Sequence, residues 1–76
     1  MEDNAKLQID FWLETDGRWI AEIPAFPGVM AYGRDQDEAL RKVRALALHV
    51  VAERLENAEA LPDGLDQTVE KLFAAA

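Results

Sequence analysis

The chain has 76 residues, half of them apolar, and it contains no cysteine. This length allows one small domain, and the lack of cysteine in the sequence excludes disulfides and thiolate metal sites. Fifteen acidic and eight basic residues give a net charge of −7, which opposes generic nucleic-acid binding and favours a basic protein as partner. Because so small a domain buries only about 60% of its unfolded surface, we expect a homodimer or tetramer.

The sequence shows neither a membrane-spanning segment nor a secretion signal. Its apolar runs are too short to span a bilayer. The first residues, MEDNAK, lack the positive region and the apolar core of a signal peptide. We therefore expect a cytoplasmic protein without membrane contact.

Two segments of alternating polarity predict a β-hairpin. Apolar and polar side chains alternate over residues 6–14, and the pattern resumes after the loop 15–17. A three-residue loop with Gly17 left-handed opposes Leu13 to Trp19 and gathers one apolar face, whereas a two-residue loop sets a glutamate against that face. We therefore predict the three-residue loop. The inward face then holds Leu7, Ile9, Phe11, Leu13, Trp19, Ala21 and Ile23.

The opposite face of this hairpin places Trp12 and Ile20 as a cross-strand pair among charged side chains. Small proteins expose some apolar surface without functional meaning. A tryptophan beside an isoleucine with a charged rim is, however, typical of protein interfaces. The candidate residues for a partner or oligomer interface are Trp12, Glu14, Ile20, Glu22 and Tyr32.

Prolines and glycines predict where the second strand ends and a third begins. Proline cannot donate a ladder hydrogen bond, so Pro24 ends the second strand. Pro27 and Gly28 fit the two central positions of a type II turn, with Phe26 tucked beneath it. Residues 29–32 then form the third strand of an antiparallel meander, which ends at a glycine. The predicted structural turn residues are Gly17, Pro24, Pro27 and Gly28.

The segment from Gln36 to about Glu56 predicts a long amphipathic helix, because it contains neither glycine nor proline. Asp35 and Glu38 have the spacing of a capping box, and Leu48 falls beside the main apolar stripe, a position suited to an edge or an oligomer contact. The predicted core-facing residues are Ala39, Leu40, Val43, Leu46, Ala47, Val50, Val51 and Leu55. The predicted solvent side, which could also act as a basic patch, carries Arg41, Lys42, Arg44 and Arg54.

The sequence offers no constellation of catalytic or metal-binding residues. It contains neither serine nor cysteine, and its single histidine, His49, lies beside the apolar face of the helix, where a partly buried packing role is commoner than catalysis. Asp10, Glu14 and Glu22 share the outer sheet face, but scattered strand carboxylates are more typical of a solvated surface than of a metal site. We expect no enzyme, no cofactor and no metal.

The C-terminal segment 67–74 fits two structures. Val69, Leu72 and Phe73 have helical spacing, and the alternating pattern of a strand fits less well. The topology favours a strand, because a helix that crosses the sheet commonly returns to add one. The first strand has a free edge that such a strand would cover.

Several motifs together resemble the HicB-type antitoxin family. They are DGRWIAEIP at 16–24, FPGV at 26–29, YG at 32–33 and DEA at 37–39, followed by a long helix. The combined spacing covers nearly the whole chain. Asp35 stands where the family usually has threonine or serine, and all three residue types cap helices.

The resemblance implies an α+β fold of order β-β-β-α-β, similar to part of the ribonuclease H fold without its catalytic carboxylates. It thereby favours the C-terminal strand. It also implies an antitoxin-like protein that binds and neutralises a small basic ribonuclease toxin by protein contact. Many members add a DNA-binding domain that this sequence lacks, so we expect no DNA binding. The alternative is a solitary nucleic-acid- or ligand-binding module on the same scaffold, which has no toxin partner and uses the helix arginines.

Overall fold

The computed structural model describes residues 7–62 and 64–73. Within these ranges, three strands form an antiparallel sheet in the order β1-β2-β3. A long helix packs against β2 and β3, and a short helix follows it. The α+β class and the meander are as predicted. The elements are β1 (Asp10–Leu13), β2 (Trp19–Glu22), β3 (Met30–Gly33), α1 (Gln36–Glu56) and α2 (Leu65–Leu72).

The hairpin between β1 and β2 has the predicted register. Leu13 opposes Trp19 across the two strands. The amide N–H of Glu14 donates to the carbonyl oxygen of Arg18 at 2.8 Å, which closes a loop of three residues. Gly17 has a φ of 91°, a left-handed conformation that glycine adopts without steric cost. The hydrophobic pattern therefore fixes the register, as expected when one face is buried.

The turn between β2 and β3 also matches its prediction. The amide of Val29 donates to the carbonyl oxygen of Phe26 at 2.9 Å, with Pro27 and Gly28 between them. Gly28 has a φ of 87°, as a type II turn requires. β2 ends two residues before Pro24, and the Phe26 side chain is buried beneath the turn.

The core lies between α1 and the inward face of the sheet. Phe11 and Trp19 pack against it as predicted. Leu13 was predicted to face the core as well, but it is 56% exposed, because α1 packs on β2 and β3 and leaves the end of β1 uncovered. The buried cluster consists of Ala21, Ile23, Phe26, Val29, Ala39, Val43 and Ala47.

Gly33 lets the first turn of α1 approach the end of β3. A Cβ atom at this position would overlap the backbone nitrogen of Ala39 and would lie 2.9 Å from the carbonyl oxygen of Asp35. The position therefore requires glycine for space, in agreement with its predicted place between the strand and the helix.

Helix α1 begins with an altered capping box. The Asp35 carboxylate accepts the amide N–H of Glu38 at 2.8 Å, as predicted. The Glu38 carboxylate accepts instead from the amide of Arg34 at 2.6 Å and from the Arg34 guanidinium at 3.2 Å. The Arg34 amide, and then its guanidinium, lower the pKa of Glu38 from 4.5 to about 2. The Glu38 carboxylate thereby stabilises the conformation of the backbone at Arg34, just before the helix.

The core-facing stripe of α1 is narrower than predicted. Leu46 and Leu55 were both assigned to the core, but they are 36% and 49% exposed. The 21-residue helix is about 31 Å long, whereas a four-residue strand spans about 13 Å. The end of α1, with Leu55, therefore extends beyond the sheet. Leu46 lies in the middle of the helix, next to the buried Ala47, and is exposed because it is at the edge of the apolar stripe.

Helix α1 ends in a Schellman motif that has alanine at the left-handed position. The amide of Glu59 donates to the Arg54 carbonyl at 2.8 Å, and that of Ala58 donates to the Leu55 carbonyl at 3.2 Å. Ala58 has a φ of 56°, a conformation that usually selects glycine. A small amount of backbone strain is therefore present at this turn.

Arg54 differs from its predicted place on the solvent side. Its guanidinium lies 5.1 Å from the centre of the Phe26 ring and donates to the carbonyl oxygen of Ala60 at 3.1 Å. The side chain thus joins the end of α1 to the buried turn. Arg41 and Lys42 are exposed as predicted.

The predicted C-terminal strand is wrong, because residues Leu65–Leu72 form helix α2. Gly64 precedes the helix with a φ of 78°, and the Thr68 hydroxyl donates to its carbonyl oxygen at 3.3 Å. Leu65 packs against the core cluster. Helical spacing brings Val69 to the same side. The helical periodicity of this segment therefore indicated its structure better than the topology did. No strand from this segment covers the free edge of β1.

Candidate functional site

The outer face of the sheet, which points away from α1, brings the predicted interface residues together. Trp12 opposes Ile20, and Ile20 opposes Tyr32, so one row crosses all three strands. Asp10, Glu22 and Met30 form the next row by the same register. We call this surface, with Glu14 and Arg18 at its end, the outer sheet face.

The row through Trp12 has two exposed rings and a buried centre. Trp12 is 38% exposed and Tyr32 is 41% exposed, but Ile20 is only 3% exposed. Ile20 was predicted to be an exposed anchor, and the structure corrects this. It lies on the central strand between the two aromatic residues, so their rings cover it. Contact with a partner would therefore be made by Trp12 and Tyr32.

Carboxylates flank these rings. The indole Nε1–H of Trp12 donates to Glu14 at 3.0 Å. Asp10 and Glu22 are directly opposite each other on β1 and β2, an arrangement of like charges that destabilises a sheet. In the described part of the chain, no ion pair involves either of them. A cationic group from a partner would relieve this repulsion.

Arg18 lies at the end of the outer sheet face. The Arg18 guanidinium lies 4.3 Å from the centre of the Tyr32 ring and pairs with Asp16 at 2.8 Å. The Arg18 amide, together with its guanidinium, lowers the pKa of the Asp16 carboxyl. Arg18 was absent from the predicted site. The register between β2 and β3 was the signal, because it places Arg18 diagonally across from Tyr32.

The remaining candidate residues carry no chemistry beyond the fold. His49, predicted to be partly buried, is exposed on α1. Within residues 7–62 and 64–73, no three His, Cys, Asp or Glu side chains lie close enough to hold a metal ion. In the same ranges, no helix is long and apolar enough to cross a membrane.

A second apolar surface was not predicted. A groove of about 610 Å³ runs between α1, α2 and the residues that precede β1, and we call it the α1–α2 groove. It opens on the helix-covered side of the molecule, because Ile9 and Ile23 from the inward sheet face line it. Leu48, which falls beside the main stripe of α1, was the only sequence signal for it.

Comparison with family models, with curated proteins and with solved structures found no match for this chain.

Proposed function

We propose that this chain is an antitoxin-like protein that binds a small basic ribonuclease with its outer sheet face and neutralises it by protein contact. The observation that carries the proposal is the pairing of Asp10 with Glu22 in the row next to Trp12 and Tyr32. The resemblance to HicB-type motifs suggests the class of partner, and the arrangement of charged and aromatic residues supports the outer sheet face as its docking surface.

Charge and shape support a basic partner. Asp10, Glu14 and Glu22 are all on this face, with Arg18 at its end, and the whole chain has a net charge of −7. Complementary charge accelerates encounter and suppresses wrong partners. The exposed rings of Trp12 and Tyr32 provide the rigid, amphipathic contacts that are enriched in interface hot spots.

The alternative, a solitary nucleic-acid-binding module, has weaker support. It depends on the basic side chains of α1. Arg54 is engaged by Phe26 and Ala60, and Lys42 lies 3.7 Å from the Glu38 carboxylate. Arg41 and Arg44 remain as exposed cations, which is a small patch on a strongly acidic chain.

The test is binding of the full chain to a small basic ribonuclease encoded beside it, measured by calorimetry. We expect Trp12→Ala to weaken binding by about 2 kcal/mol, or roughly thirtyfold, with the circular dichroism spectrum unchanged. Leu13→Ala is the matched control, because Leu13 is the next residue of β1, is also exposed, and points to the other face.

Three results would count against the proposal. The first is a Trp12→Ala variant that binds as tightly as the original chain. The second is equal loss in Leu13→Ala, which would place the contact elsewhere. The third is outright unfolding of Trp12→Ala, which would make the indole part of the core. A salt-dependent shift of short RNA by the unmodified chain would instead favour the alternative.

A further inference from the structure

The α1–α2 groove has the size and the lining of a small-molecule site. Its volume of about 610 Å³ lies within the roughly 300–1,000 Å³ that is typical of ligand pockets. Nine of its eleven lining residues are apolar, and the other two are Arg44 and Thr68. Ligand pockets are likewise mostly apolar, with a few polar groups that orient the ligand. The lining therefore predicts a ligand that is largely apolar and has one polar end.

The two helices give the groove an elongated shape. The lining residues of α1 have the spacing i, i+3, i+4 and i+7 from Arg44 to Val51, which places them in one stripe along the helix. The lining residues of α2 repeat this spacing from Leu65 to Leu72. Each stripe extends about 10 Å along its helix. Two apolar stripes of this length suit an extended alkyl chain.

The only charge that lines the groove is positive, although the chain as a whole is acidic. Arg44 begins the stripe of α1 and is exposed. In the described part of the chain, its guanidinium forms no ion pair. Residues 39–52 of α1 include Arg41, Lys42 and Arg44 but no acidic residue, and neither acidic residue of α2 lines the groove. The charge at this end of the groove therefore complements an anion.

We propose that the α1–α2 groove binds a medium-chain fatty acid, with the alkyl chain between the two helices and the carboxylate on Arg44. A guanidinium matches a carboxylate with two parallel hydrogen bonds. The Thr68 hydroxyl already donates to the carbonyl oxygen of Gly64 at 3.3 Å, so Arg44 supplies the side-chain donors for the carboxylate. Leu48 and Leu72 line the groove and are 69% and 70% exposed, which leaves apolar area for the alkyl chain to cover.

Other occupants match the groove less well. The basic partner proposed for the outer sheet face would be repelled by Arg44. A neutral apolar peptide would cover the guanidinium without an anion to pair with it, which is unfavourable. The six residues before Leu7, MEDNAK, have only two apolar side chains, and the three after Phe73 are alanines. A fatty acid satisfies both the apolar walls and the charge.

The test is isothermal titration calorimetry of the full chain with sodium decanoate, below the concentration at which decanoate forms micelles. We expect saturable binding with a dissociation constant below about 1 mM. Arg44→Gln should raise this constant at least about tenfold. Arg41→Gln is the matched control, because it removes an exposed cation one turn earlier on α1 that does not line the groove. We expect it to bind decanoate like the original chain.

Two further ligands separate the contributions of the charge and of the apolar walls. Decanol has the alkyl chain without the carboxylate, so Arg44→Gln should bind it as the original chain does. Acetate has the carboxylate without the alkyl chain and should show no saturable binding. Acetate that binds as tightly as decanoate would overturn the role of the apolar walls and, with it, the proposal.

Absence of saturable decanoate binding by the original chain would overturn the proposal. Equal weakening in Arg41→Gln and Arg44→Gln would also overturn it, because the effect would then come from overall charge and not from the groove. The site is independent of the proposed function, since the groove and the outer sheet face lie on opposite sides of the sheet. Trp12→Ala should therefore bind decanoate normally while it loses ribonuclease affinity, so the two proposals fail separately.

Discussion

The two faces of the same sheet differ in what covers them. The inward face is buried under α1, and its side chains are aliphatic or aromatic with no buried polar group among the described residues. No described helix packs on the outer face, where Ile20 lies between Trp12 and Tyr32 in the register and carboxylates lie in the neighbouring positions. Helix burial stabilises the first face, whereas the polar groups of the second contact only exposed neighbours, as in the bonds of Asp10 with Gln8 and of Trp12 with Glu14.

This difference separates stability from binding. Alternation along a strand sends neighbouring residues to opposite faces, so Leu13 and Trp12 can be changed independently. The inward face tolerates little change because it is close-packed. The outer face keeps an unfavourable carboxylate pair, Asp10 and Glu22, whose repulsion a basic partner would relieve under the proposed function.

Gly33→Ala is expected to disrupt the inward face most strongly. The new Cβ atom would overlap the Ala39 backbone, so α1 must move away from β3. We expect the free energy of unfolding to fall by about 3 kcal/mol, as measured by urea denaturation. Gly28→Ala, which meets no neighbouring atom but has a φ of 87°, is the control for left-handed strain alone and should cost about 1 kcal/mol. Equal losses in the two variants would contradict the close approach at Gly33.

Lowering the pH should reduce the stability that Glu38 contributes at the start of α1. The pKa of Glu38 is lowered from 4.5 to about 2 in the folded chain, so its contribution is complete above pH 4.5 and is lost as the pH falls towards 2. Glu38→Gln should remove this part of the pH dependence, as followed by thermal unfolding between these pH values. An unchanged pH profile in Glu38→Gln would mean that the Arg34 contacts contribute nothing.

Ala58→Gly should stabilise the scaffold without touching either face. Glycine adopts a φ of 56° without the steric cost that alanine has there. We expect the free energy of unfolding to rise by about 1 kcal/mol, while partner affinity stays unchanged. Destabilisation would show that the Schellman turn is not formed in solution.

Glu22→Gln should have the smallest effect on stability. It should also separate stability from partner binding most clearly, because we expect the two to change in opposite directions. Removing one charge of the pair with Asp10 is expected to raise the free energy of unfolding by about 0.5 kcal/mol. The same change should weaken binding to a basic ribonuclease, because it removes a carboxylate from the outer sheet face. Glu53→Gln on α1 is the control. A variant in which stability and binding fall together would argue that Glu22 has a structural role.

Local signals in the sequence predicted most of the sheet and α1. The loop 15–17, the Pro27–Gly28 turn and the bounds of α1 each follow from a few adjacent residues whose conformational preferences agree. The position of Trp12 on the outer face follows from the same alternation. These features need no knowledge of distant contacts.

The errors arise where tertiary context decides. The expected C-terminal strand came from topology and from the HicB-type resemblance, against the helical spacing of Val69 and Leu72 that formed α2. The burial of Ile20 needed the third strand, whose Tyr32 covers it from the far side. Arg54 was expected on the solvent side, but it contacts Phe26 because the buried turn lies near the end of α1. His49 was expected to be partly buried, but it is exposed because nothing in the described chain packs over it.

The central claim is that the outer sheet face, and not the inward face, contacts the partner. Its most direct test uses the indole N–H signals of the two tryptophans. In an ¹⁵N-labelled sample titrated with the small basic ribonuclease, the account predicts that the Trp12 signal shifts or broadens while the Trp19 signal, from the inward face, stays in place. A shift confined to Trp19, or no shift of Trp12 at saturation, would contradict the assignment of the outer sheet face as the docking surface.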